Sequence, residues 1–134
     1  MALTEDRNTP HQDGEILNVP IAAGVICFAG GIACINAAGF AVPGTATTGL
    51  TYIGRFEERV DNHLGDDAAI TIKIRRKKAF LWANSSTDAV TQSALGKVCY
   101  IEDGETVSLT DGSSSRSAAG MVIGLDADGV WVES

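Results

Sequence analysis

The sequence predicts an all-β fold, a small β-sandwich or β-barrel with one short helix and an extended N-terminal arm. Three observations lead there. Turn-forming residues punctuate the chain about every 8–12 residues, and its 15 glycines are spread rather than bunched. The runs between them are short and rich in β-branched and aromatic residues. One run alternates strictly: Ile70, Ile72 and Ile74 fall on one face, and Thr71, Lys73 and Arg75 on the other.

Residues 1–14 are polar, lack apolar periodicity and contain Pro10, so they form an extended arm ahead of a single β domain over 15–134. Ile16, Leu17 and Val19 precede Pro20, which edges or ends a strand. Val25 to Phe28 and Ile32 to Asn36 flank Ala29-Gly30-Gly31, a hairpin-like connection. Phe40 to Pro43 is the next strand, and Gly44 to Gly49 is a loop of small residues. Thr51 to Val60 reads as one longer strand ending in charge, and Asp61 to Asp67 as a polar loop. The alternating run follows, placing all three isoleucines in the core and Lys73 and Arg75 towards solvent or a partner. Phe80, Leu81 and Trp82 form another strand.

Asn84 to Leu95 is the helical candidate. Ser86, Thr87 or Asp88 would cap it, Val90 and Leu95 would be its buried side, and Gly96 would stop it. Two hairpins close the chain. Val98 to Glu102 and Thr106 to Leu109 turn at Asp103-Gly104, and Ala118 to Leu125 and Val130 to Glu133 turn at Asp126 to Gly129.

The net charge of −7 argues against a general nucleic-acid binder and against adhesion to an anionic membrane. The apolar stretch from Ile21 to Val42 is interrupted by Gly24, Gly30, Gly31, Asn36 and Gly39, so it predicts no membrane span. The N-terminus lacks the pattern of a signal peptide. Cys27, Cys34 and Cys99 lack metal-type spacing and read as free, buried thiols, with a Cys27–Cys34 disulfide across the first hairpin as the alternative.

An enzyme is not predicted. His11 lies in the arm and His63 in a charged loop, and neither accompanies a nucleophile motif. The acid pairs Glu57-Glu58, Asp66-Asp67 and Glu102-Asp103 sit at strand ends or turns. Asp126 to Gly129 lacks the distal acidic ligand of a calcium loop. Ala29 to Ala33 lacks the Lys-Ser/Thr ending of a phosphate loop. No catalytic residue, metal or cofactor is expected. Lys73, Arg75, Arg76, Lys77 and Lys78 hold half of the ten basic residues. They read as a solvated edge or a contact for an acidic neighbour. They are also the sole support for the alternative function, a small β-barrel nucleic-acid-binding module.

Several motifs occur in an order that resembles a family. Asn36-Ala37-Ala38-Gly39-Phe40-Ala41-Val42-Pro43 is followed by Gly49-Leu50-Thr51-Tyr52-Ile53-Gly54-Arg55-Phe56-Glu57 and an Asp61-Asn62 turn. Later come Gly96 to Asp103 and the closing Gly129-Val130-Trp131-Val132. This order is similar to that of the small cement, or decoration, proteins of tailed phages and prophages. The likeness covers roughly Val19 to Ser134, and its motifs are turns and strands rather than chemistry. It implies a non-enzymatic virion protein on the capsid exterior, assembled in the host cytoplasm. Its partners would be the major capsid protein and itself, as a homotrimer by first preference or a homodimer by second, with no nucleic acid or membrane. The candidate capsid or subunit contacts are then Leu3, Thr4, Arg7 and Pro10 in the arm and Lys73, Arg75 and Lys77 on the basic run.

Overall fold

The computed structural model describes residues 2–134 and is all-β. Its strands are β1 (Ile16–Pro20), β2 (Ile26–Cys27), β3 (Ile32–Ile35), β4 (Ala41–Pro43), β5 (Thr51–Phe56) and β6 (Val60–Asp61). They continue with β7 (Thr71–Arg75), β8 (Ala79–Asn84), β9 (Val98–Ile101), β10 (Thr106–Ser108), β11 (Ala118–Asp126) and β12 (Gly129–Glu133). An open sheet runs in the order β1-β7-β5-β3-β4, and β10-β8-β12-β11-β9 close into a five-stranded barrel. Strands β2 and β6 form a separate ribbon.

Strand β3 joins the two main parts because both of its faces are buried. Successive side chains point to opposite faces of a strand. Ile32 and Cys34 therefore enter the barrel core, beside Phe80, Trp82, Ile101, Val122, Val130 and Val132. Ala33 enters a second core, with Ile21, Cys27, Phe56, Ile72 and Ile74. Tyr52 of β5 also reaches the barrel core, where its hydroxyl accepts a hydrogen bond from the Trp82 indole at 3.1 Å. Gly54 of the same strand faces the backbone of β7 so closely that a Cβ would run into the Arg75 carbonyl.

Four local expectations are corrected. Strands β2 and β3 do not form a hairpin: β2 pairs with β6, while β3 pairs with β4 and β5. The expected strand from Thr51 to Val60 breaks at Phe56 and resumes as β6, so Val60 pairs with Cys27. Ile70 does not share the core with Ile72 and Ile74. It precedes β7 and is 41% exposed, and its carbonyl accepts the Ile21 N–H. The helix expected over 84–95 contracts to a single 3-10 turn, Gln92–Ala94, with Val90 buried but Leu95 exposed.

The physical reason for that contraction lies in the side chains before the turn. The Asn84 amide donates to the Val90 carbonyl at 3.0 Å and its oxygen accepts the Val90 N–H at 2.8 Å. The Ser85 hydroxyl accepts N–H groups from Thr87 and Asp88. These bonds offer the backbone an alternative to helical pairing. The two C-terminal hairpins form as the sequence predicts.

Candidate interaction surface

The arm and the basic run, distant in sequence, meet at one place. Residues 2–13 are exposed and contain no helix or strand. Leu3 is 72% exposed, and Thr4, Arg7 and Pro10 are exposed with it. Within this stretch the Arg7 guanidinium donates to the Thr9 hydroxyl at 2.6 Å, and the Thr9 N–H to the Arg7 carbonyl. The arm then reaches Gly14, which lies beside the Lys77 ammonium, and Glu15. Glu15 takes Lys78 at 3.3 Å and Arg75 at 3.9 Å, and its carbonyl accepts the Arg76 N–H. The basic run thus holds the root of the arm where it enters β1.

That role divides the basic candidates. Arg75 is half-buried and paired, with its Nε 3.2 Å from Glu57. Glu57 also takes Arg55 at 2.6 Å, and the Arg55 guanidinium covers the Phe80 ring at 5.1 Å from its centroid. Hydrogen bonding from Arg55, supported by Arg75, lowers the Glu57 carboxyl below its ordinary value. Lys73 is exposed on the outer face of β7 and faces solvent as expected, and Lys77 is exposed at a left-handed turn between β7 and β8. Arg75 is therefore first a structural ion-pair partner, and Lys73 and Lys77 keep their ammonium groups at the surface.

Strand β1 is an edge of the open sheet, paired on one side by β7. A groove of about 420 Å³ beside it is lined by Gln12 and Asp13 of the arm and by Ile16 to Val19. Unpaired main-chain groups along such an edge are a template for another extended segment.

Amide and acidic side chains in the turns hold the loops together. Asn62 is buried, and its amide donates to the carbonyls of Ala22 and Asp66 at 2.9 and 3.0 Å. Asp67 accepts the Ala23 N–H at 2.7 Å. Together they pin the loop that carries Leu64, which is 90% exposed. On the barrel, Arg116 donates to Asp88 at 2.9 Å and approaches Glu102 at 3.7 Å, while Glu102 accepts the Ser85 hydroxyl. Hydrogen bonds from Thr110, with Arg116 behind them, lower the Asp88 carboxyl.

Burial pushes the thiols up, Cys27 to about 11 and Cys34 and Cys99 to about 12. All three are free, and Cys27 and Cys34 lie in different cores. Thiols so far above neutral pH are poor nucleophiles. Among the described residues, no three or more His, Cys, Asp or Glu side chains converge as a metal cluster.

One surface escaped the sequence reading. Leu81, Met121, Ile123, Val98 and Trp131 are all exposed, and all lie on the outside of the barrel. In hindsight Val130 and Val132 give the signal, since two inward valines oblige Trp131 between them to point outward.

No family model, curated protein or solved structure matches the chain. The likeness to capsid cement proteins therefore rests on the order of the sequence motifs alone.

Proposed function

We propose that this is a structural protein that binds the outer surface of an assembled phage capsid. It stabilises the shell by bridging major capsid subunits, and acts as a small homo-oligomer without catalysis. The observation that carries the reading is the exposed arm, anchored at its root and leading directly into an edge strand. Such a segment can add to a sheet edge of a capsid subunit or of a neighbouring copy, where its main-chain groups find partners. The body supplies a second contact at high effective concentration, so neither contact need be strong alone. The motif order from Asn36 to Val132 supports the same reading.

The nucleic-acid alternative weakens at the basic run. Arg75 and Lys78 are engaged by Glu15 and Glu57, which leaves fewer cations to displace phosphate counterions.

Ordering the arm costs about 1–2 kcal/mol per residue in backbone entropy, so the contacts it makes must exceed that cost. Deleting residues 2–13 tests the proposal. The expected outcome is an almost unchanged thermal midpoint and a clear loss of occupancy on purified capsids. Full occupancy without the arm would remove it from the contact.

A further inference from the structure

An antiparallel sheet with one face on a core normally presents polar residues on the other. The open sheet obeys this: Asn18, Thr71, Lys73 and Arg75 face outward from β1 and β7. Four barrel strands do not. Trp131 of β12 lies directly opposite Leu81 of β8, and Met121 of β11 lies opposite Val98 of β9. Between these pairs the register of β11 shifts, with Ile123 as the extra residue and Gly124 opposite Trp131. The Trp131 ring lies over Gly124, which has no side chain to hold it off. A continuous apolar band thus crosses β8, β12, β11 and β9.

Its charges lie along one border, where Ile123 shares a groove with Glu133, Lys77 and Lys78. Glu133 lies opposite Ala79 at the end of β12. Asp126 ends β11, and its carboxylate already accepts the Trp131 indole N–H at 3.1 Å. That bond lowers the Asp126 carboxyl together with backbone N–H groups. The Trp131 indole therefore asks no hydrogen bond of whatever covers it.

We infer that this face is where two copies of the chain pack together, each presenting the same band to the other. Three observations select a second copy as the occupant. First, a chain of net charge −7 repels its copies over most of its surface, whereas at this band the acid Glu133 is accompanied by Lys77 and Lys78, so two copies can approach there at less cost. Second, the five side chains are each 38–48% exposed. Together they offer roughly 400–500 Å² of apolar surface, half or somewhat more of the roughly 800 Å² that one partner brings to a stable interface. Third, the other large exposed apolar residues form no second band: Leu3 and Leu64 lie outside the strands, Phe28 beside the turn from β9 to β10, and Leu95 next to the band itself, where Gly96 bonds to Val122. A head-to-tail ring would need a second, complementary band, whereas a self-complementary face closes as a two-fold pair.

The inference deepens the homo-oligomer part of the proposed function and is tested without capsids, so its failure leaves the capsid contact standing. Sedimentation equilibrium of the full chain should give twice the 13.9 kDa of one copy. Leu81→Glu and Met121→Glu place charge at positions that are already exposed, so the fold should survive, as circular dichroism and thermal unfolding will verify. Each should weaken pairing by at least about a hundredfold, because like charges are forced together across the two-fold. Lys73→Glu, on the other sheet, should leave the pair intact. A wild-type chain that stays single at about millimolar concentration overturns the inference. So does an assembly that survives both substitutions in folded protein. If the wild type is single and the substitutions instead lower capsid occupancy, the face belongs to the capsid contact and self-pairing is refuted.

Discussion

Truncating Ile72 removes a side chain with no solvent exposure, packed in the core that also holds Val19, Phe56 and Ile74. Ile72→Ala should cost about 2–5 kcal/mol, the transfer term plus the cavity left behind. Ile70→Ala and Lys73→Ala remove exposed groups and should each stay within about 0.5 kcal/mol. Chemical denaturation of the three variants checks the ranking, and equal losses would refute it. Alternation told which face of β7 is buried but not where the strand begins. The Ile70 carbonyl is taken by Ile21, outside the β1–β7 ladder, and the chain turns away before the pattern ends. Asn62 shows the same limit. Its place in a polar loop was legible, but its burial depends on carbonyls of Ala22 and Asp66 that no local pattern brings to it.

At the scale of elements, β5 and β7 are tied by the ion pairs of Glu57. Its carboxyl is held below the ordinary value of 4.5 by the Arg55 hydrogen bond first and Arg75 second. A carboxylate lowered in the native state adds stability above its ordinary value and loses it as pH falls through the native one. The thermal midpoint should therefore drop as pH falls below about 4.5, and Glu57→Gln should start lower near neutrality and lose less in acid. Parallel acid profiles for the two proteins would contradict this. Elements closed by adjacent residues were legible. Asp103-Gly104 and Asp126 to Gly129 turn hairpins because the turn chemistry is local. The pairing of β2 with β6 and the parallel pairing of β8 with β10 join segments distant in sequence, which no turn signal reports. The helix over 84–95 failed for another reason: capping residues were present, but Asn84 and Ser85 spend their side chains on a folded loop.

For the whole molecule, the all-β class was readable from strand length and turn spacing, with sandwich and barrel both open, whereas which strands close the barrel and the sharing of β3 between two cores were not. Residues 2–13 carry no helix or strand, and Leu3, Thr4, Arg7 and Pro10 are exposed within them. The basic run looked like one patch, yet Arg75 and Lys78 serve the root of that arm. Two exposed features remain for partners: an arm that enters an edge strand, and an apolar barrel face. On the proposed function, these features would act through several modest contacts made at once. The most direct measurement is a reconstruction of purified capsids, imaged with and without the added protein. The account predicts extra density of this size on the outer surface, seated across neighbouring major capsid subunits with the arm traced along one of them. An unchanged outer surface at saturating protein, or density confined to the interior, would contradict it.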